Sequence, residues 1–218
     1  MTVSAYRNHD DARKAYLNAL KYDPSNQNVL RDLGQLQVQL RDYEGYAETR
    51  RQILVAKSAL QLNWVAYAVA LFLARDFPRA LEVLHSFEKT LKEEKNNGGL
   101  KKHDKGELAF FEARIHEEMG NHTKAVELLQ KGDVIVNGTA RHEALARIYS
   151  AAGQKDKAID HYEELLQLNS SNLNYYTQIL KVHGFNKSGS ETYSDEEQAK
   201  IEEIMGEYQK NLPRATAH

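Results

Sequence analysis

Asp42-Tyr43-Glu44-Gly45-Tyr46 and Asp76-Phe77-Pro78-Arg79-Ala80-Leu81 share one layout, a polar turn followed by a small or aromatic residue that opens an apolar helical face. The layout recurs at Asp11-Ala12-Arg13-Lys14-Ala15-Tyr16, Gly120-Asn121-His122-Thr123-Lys124-Ala125 and Gly153-Gln154-Lys155-Asp156-Lys157-Ala158. With Ala12, Tyr46, Ala80, Ala125 and Ala158 as anchors, successive spacings are 34, 34, 45 and 33 residues. Twelve residues before the last four anchors stand Gly34, Ala68, Ala113 and Ala146, all small. A small residue there lets the first helix of a pair approach the second. Four residues earlier again, Trp64 supplies a large aromatic in one repeat. One helix pair cannot bury its apolar face alone, so such pairs stack on their neighbours.

A 34-residue period of paired helices is the tetratricopeptide repeat, and the 45-residue interval marks an insertion. The expected fold is all-α, a helical-hairpin superhelix of about eleven helices. Apolar periodicity places helices at 9–22, 27–40, 43–57, 61–75, 77–95, 106–119, 122–132, 138–152, 155–168, 172–183 and 195–211. Residues 1–218 then form a single array: a half repeat at 9–24, repeats at about 27–58, 61–95, 106–132, 138–168 and 172–211, and an insertion loop at about 96–105. Pro78 suits a first helical turn, and Ser194-Asp195-Glu196-Glu197 reads as a capping box. The 9–22 helix has no first-helix partner, so the array begins in mid-repeat and the chain reads as a piece of something longer. The apolar surface left there is expected to support self-association.

Composition narrows the function. Lys+Arg 29 against Asp+Glu 31 leaves a net charge of −2, without the basic excess of a bulk nucleic-acid binder, so no DNA partner is expected. The longest apolar run, Trp64–Ala74, is shorter than the roughly 18–20 residues that span a bilayer, so no membrane partner is expected either. The absence of cysteine removes disulfides, thiolate metal sites and thiol nucleophiles. The opening MTVSAYRNHDDARK lacks a signal-peptide layout, which points to a cytoplasmic location.

Two stretches go beyond generic repeat residues: Asn18-Ala19-Leu20-Lys21-Tyr22-Asp23, and the segment running from Leu30-Arg31-Asp32-Leu33 through Arg41-Asp42-Tyr43-Glu44-Gly45-Tyr46 to Glu48-Thr49-Arg50. They closely resemble the auxiliary, non-catalytic subunit of the N-terminal acetyltransferase A complex, with its NALK-W/Y-D element and its LRDL…RD-x-EGY-x-ETR signature. Asn63-Trp64-Val65-Ala66-Tyr67-Ala68, Tyr175-Tyr176 and Tyr208-Gln209-Lys210-Asn211-Leu212-Pro213-Arg214 fit the same pattern. The resemblance covers the chain from about residue 10 and implies an amino-proximal slice of a longer subunit. It also implies a scaffold that organises the catalytic acetyltransferase subunit and docks it at the ribosome, where nascent chains are acetylated. On that reading the chain is ribosome-associated and not itself an enzyme, and acetyl-CoA binds only in the catalytic partner.

The residues themselves carry little chemistry. Arg31-Asp32-Leu33-Gly34-Gln35-Leu36 approaches an acetyl-CoA pyrophosphate loop, but it ends in Leu36 and lies inside an expected helix whose amides are already used. No catalytic, cofactor or metal residues are assigned. His116 and His122 lack a third ligand, and Glu117-Glu118 and Glu163-Glu164 read as solvated faces. Tyr43, Tyr46, Trp64, Tyr67, Phe72 and Phe77 read as inter-helix core. Arg41, Arg50 and Arg51 on one helix–turn–helix, and Lys101, Lys102 and Lys105 beside the insertion, are the candidate contacts for a partner or ribosomal RNA. For the three arginines, structural ion pairing with Asp42, Glu44 or Glu48 is the competing expectation. A second functional class, a co-chaperone-like adaptor gripping a peptide carboxylate, needs lysine and asparagine where Arg31, Gln35 and Ala66 stand.

Overall fold

A computed structural model describes residues 3–93, 100–131, 137–187 and 192–211, and every regular element among them is an α-helix. The chain divides into two compact units, Met1–Leu100 and Lys101–His218. The first holds α1 (Val3–Tyr22), α2 (Gln27–Gln39), α3 (Tyr43–Ala56), α4 (Gln61–Leu73) and α5 (Phe77–Glu93). The second holds α6 (Lys102–Glu118), α7 (His122–Gln130), α8 (Gly138–Ala151), α9 (Lys155–Leu168), α10 (Leu173–His183) and α11 (Asp195–Asn211). Within the first unit each helix packs on the next, and the same holds from α6 to α10 in the second. This is the all-α repeat-hairpin class that the 34-residue spacing predicts.

One backbone device makes the hairpins. The turns after α2, α4, α6, α8 and α10 place Arg41, Arg75, Gly120, Gly153 and Gly184 at φ of 57°, 59°, 76°, 73° and 102°. In each, the next residue's N–H reaches the carbonyl five residues back at 2.8–2.9 Å, from Asp42 to Gln37 through Phe185 to Leu180. The left-handed residue bonds three back at 2.9–3.1 Å. These paired bonds close the last helical turn and reverse the chain. Asp42 and Asp76 then cap the following helix, accepting from the N–H of Gly45 at 3.0 Å and of Arg79 at 3.2 Å.

The anchors lie at the tightest contacts. Ala68, Ala80, Ala125, Ala146 and Ala158 are wholly buried and Ala113 nearly so, while Gly34 is buried and Ala12, Tyr46 and Trp64 are half-buried. A β-carbon on Gly34 would stand 3.4 Å from the Tyr46 ring, so the position sets how closely α2 meets α3. Around these sites Leu30, Leu33, Leu71 and Phe87 fill the first unit, and Leu129, Ile148, Leu165, Leu166 and Ile179 the second. Burying each such side chain contributes about 1.5–3 kcal/mol. Trp64 stacks on Phe87 with centroids 6.1 Å apart and donates its indole N–H to Ser58.

Two helix starts differ from expectation. α6 begins at Lys102, so residues 102–105, expected in the insertion loop, form its first turn; residues 96–99 of that loop, and 94–95 at the expected end of the preceding helix, lie outside the described residues. Lys101 is extended (φ −61°, ψ 156°), and the Lys105 N–H reaches the Lys101 carbonyl at 3.0 Å. Gly106, the expected first residue of this helix, lies buried one turn inside it. α1 begins at Val3 rather than at residue 9, because nothing between breaks a helix. The capping box is present: Ser194 accepts from the Glu197 N–H at 3.3 Å, and the Glu197 carboxylate accepts from the Ser194 N–H at 2.8 Å.

Candidate functional site

The stretch that carries the family resemblance folds into the α2–α3 hairpin, where most of its polar residues act on one another. Gln37 and Thr49 are buried, and the Thr49 hydroxyl donates to the Gln37 amide oxygen at 2.8 Å across the two helices. A β-carbon at Gly45 would force the Asp42 carboxylate and the Gln37 amide nitrogen, 2.7 Å away, to shift. Arg50 donates to the Tyr46 hydroxyl at 2.9 Å, and Arg51 grips Glu48 with two bonds of 2.8 Å. The Arg51 hydrogen bond holds Glu48 below the usual carboxylate range. Of the three candidate arginines, only Arg51 is seen in an ion pair among the described residues, while Arg50 is held by a neutral hydroxyl and Arg41 stands exposed in its turn. The structure does not bring the three to a common partner.

Lys101, Lys102 and Lys105 are exposed together at the amino end of α6, three cations where the helix dipole favours anions. His103 Nε2 lies 3.9 Å from Glu107 there. Arg31 and Gln35 are exposed on α2, and the Arg31–Leu36 segment is continuous helix. Among the described residues no group of three or more side chains is placed to hold a metal ion.

A site that the sequence reading passed over lies between α6 and α8. An open groove of about 400 Å³ is floored by Ala113, Leu129, Ala144 and Ile148, with Phe110 and Phe111 along one wall. At one end Glu117, expected on a solvated face, keeps only 11% of its side chain exposed. Arg147 binds it with two bonds of 2.8 and 3.0 Å, and Arg114 adds a third at 3.0 Å. Burial pushes the Glu117 carboxyl up, but hydrogen bonding and charge from Arg147, with the Arg114 charge, outweigh it and hold the group below its ordinary range. The signal was present in sequence: Glu117 follows the small residue Ala113 by one turn, and Arg147 follows Ala146 directly. Stacked repeats bring those positions together.

Further polar bonds pin successive repeats of the second unit. The Tyr175 hydroxyl of α10 donates to Glu143 of α8 at 2.7 Å, and the Tyr208 hydroxyl of α11 to Glu163 of α9 at 3.0 Å. Burial first, then the Glu163 carboxylate, pushes the Tyr208 phenol far up. His142 and His161 face each other across α8 and α9 with their Nδ1 atoms 3.2 Å apart, and His161 stacks on Tyr149. Burial and the His142 charge hold His161 below its ordinary value. All of these bonds tie helix to helix, and none aligns a nucleophile with a base.

Known proteins agree with this picture. A family profile described as N-terminal acetyltransferase A, auxiliary subunit, matches residues 103–218, and a tetratricopeptide repeat profile matches residues 6–58. The N-terminal acetyltransferase A complex auxiliary subunit NAA15 of Arabidopsis thaliana is 32% identical over 214 residues, 97% of this chain and 23% of that protein. The human N-alpha-acetyltransferase 16, NatA auxiliary subunit, is 31% identical over 179 residues, 81% of this chain and 20% of that protein. The chain therefore spans about a fifth to a quarter of the length of the curated relatives it matches. A solved structure of Naa15/Naa10 bound to HypK-THB superposes with a TM-score of 0.74 at 28% identity, covering 98% of this chain and 31% of the matched one.

Proposed function

The chain belongs to the family of N-terminal acetyltransferase A auxiliary subunits, and from that premise we propose that it serves as a non-catalytic scaffold, holding a catalytic acetyltransferase subunit and presenting it to nascent chains at the ribosome in the cytoplasm. The observation that carries this reading is the match over 98% of the chain to the Naa15/Naa10 complex, where the relative is seen with its partner. The site geometry supports it. Polar side chains are spent on joining helices, and acetyl-CoA chemistry falls to the partner. No helix among the described residues is long and apolar enough to cross a membrane. Co-expression with the cognate catalytic subunit tests the scaffold role: the reading expects the pair to co-elute, and clean separation at micromolar concentration contradicts it.

The ribosome contact rests on charge. Lys101, Lys102 and Lys105 stand exposed side by side, with Arg41 exposed in its own turn, whereas Arg50 and Arg51 are engaged by Tyr46 and Glu48. A contact made through phosphates weakens steeply with salt. Replacing the three lysines by glutamate is expected to lower co-sedimentation with ribosomes severalfold at low salt, and an unchanged pellet fraction counts against it.

A further inference from the structure

The groove between α6 and α8 uses its arginines internally. Arg147 is bound twice to Glu117, and Arg114 reaches both Glu117 and Glu118. The remaining charges on the rim are Glu107 and Glu143, both exposed; neither makes a direct ion pair with a lysine or an arginine among the described residues, and Arg147, whose charge Glu143 feels, spends its hydrogen bonds on Glu117. Glu143 accepts the Tyr175 hydroxyl at 2.7 Å, which fixes the carboxylate without neutralising it. Between these carboxylates lie the rings of Phe110 and Phe111 and the small side chains of Ala140 and Ala144.

We propose that this groove binds an extended segment of a partner protein carrying a lysine or arginine beside a small apolar residue. Charge complementarity selects the occupant, because Glu107 and Glu143 have no direct lysine or arginine partner among the described residues and the two arginines of the groove are bound to Glu117. Aromatic faces add to the attraction, since a ring quadrupole favours an ammonium or guanidinium group placed over it. The aliphatic stem of such a side chain packs on apolar surface while its head stays at the rim. A volume of about 400 Å³ suits a few residues of extended chain, with Ala140 and Ala144 leaving the space it enters. This goes beyond the scaffold role, and its failure leaves that role untouched.

The probe is a fluorescein-labelled acetyl-Gly-Lys-Ala-Leu-Lys-Gly amide, followed by anisotropy against the whole chain, with the peptide bearing glutamate for lysine as counterpart. The basic peptide is expected to bind, and to weaken as salt rises from 50 to 200 mM. Glu107→Gln and Glu143→Gln are each expected to weaken it about threefold and together about tenfold, the scale of exposed charge pairs. Glu82→Gln, at an exposed position of α5, is expected to change nothing, and thermal melts by circular dichroism confirm that each variant is folded. No binding of the basic peptide, equal binding of the acidic one, or indifference to the double variant overturns the proposal. So does a dimer in sedimentation velocity that the double variant abolishes, which makes a second copy the occupant.

Discussion

Gly45→Ala separates local helix propensity from packing by the sign of its effect. Gly45 lies in the first turn of α3, and alanine in a helix is favoured over glycine by about 1 kcal/mol. Propensity alone thus predicts stabilisation. In the fold the new β-carbon runs into the Asp42 carboxylate and comes within 2.7 Å of the Gln37 amide nitrogen. Both are ends of side chains that could swing aside, but each is committed. Moving Asp42 breaks the cap to the Gly45 N–H, about 1 kcal/mol. Moving Gln37 disturbs its bond with Thr49, where both partners are buried, at about 1–3 kcal/mol. Set against the propensity gain, the net expectation is destabilisation by about 1–3 kcal/mol. Urea unfolding followed by tryptophan fluorescence reads it well, because Trp64, the chain's one tryptophan, lies in the same unit. A stability equal to or above that of the parent refutes the close approach and with it the reading of Asp42-Tyr43-Glu44-Gly45-Tyr46 as a structural lock.

Other perturbations follow from the same physics. Arg41→Gly relieves a side chain at φ 57° and is expected to raise stability by about 1 kcal/mol in denaturant unfolding, although it removes a surface charge. Glu117→Gln breaks the pair with half-exposed Arg147 and is expected to cost about 1–2 kcal/mol, between exposed and buried ion pairs. Because the fold lowers the Glu117 pKa, its contribution is present above the ordinary value of 4.5 and is lost as pH falls through the folded value; in the glutamine variant that part of the acid-unfolding curve flattens. The fold also lowers the His161 pKa, so the unfolded chain binds more protons and stability declines as pH drops below 6.5. Groups facing that imidazole are His142, Arg141 and Tyr149 on α8, with Asp160 and Glu164 on its own helix. His161→Gln is expected to reduce the pH slope of the melting temperature, and an unchanged slope argues against burial of a neutral ring.

How much of this was legible in sequence depended on range. The repeat spacing, the small residues at helix crossings and the capping residues are local signals, and they gave the ends of α2 to α5 and α7 to α11 to within about two residues. The start of α6 was missed because Asn96-Asn97-Gly98-Gly99 reads as a loop and nothing local marks where that loop ends before residue 106, whereas the helix begins at Lys102. The Arg51–Glu48 pair lay three residues apart on one helix and was among the alternatives a local reading weighs. Glu117 with Arg147, Glu143 with Tyr175 and Glu163 with Tyr208 are 30, 32 and 45 residues apart. Such pairs become visible only when one repeat is laid on the next. A pair of adjacent glutamates therefore read as solvated when one of them, Glu117, accepts three bonds from two arginines. The groove followed the same course, since its rim comes from two helices whose neighbouring faces only the stack defines.

The most direct trial of the scaffold account is acetyl transfer to amino-terminal peptides, measured for this chain alone, for the catalytic subunit alone and for the two together. The account predicts no turnover and no acetyl-CoA binding by the chain alone, and a changed rate or peptide preference when the two are mixed. Turnover by the isolated chain, or a catalytic subunit indifferent to its presence, contradicts it.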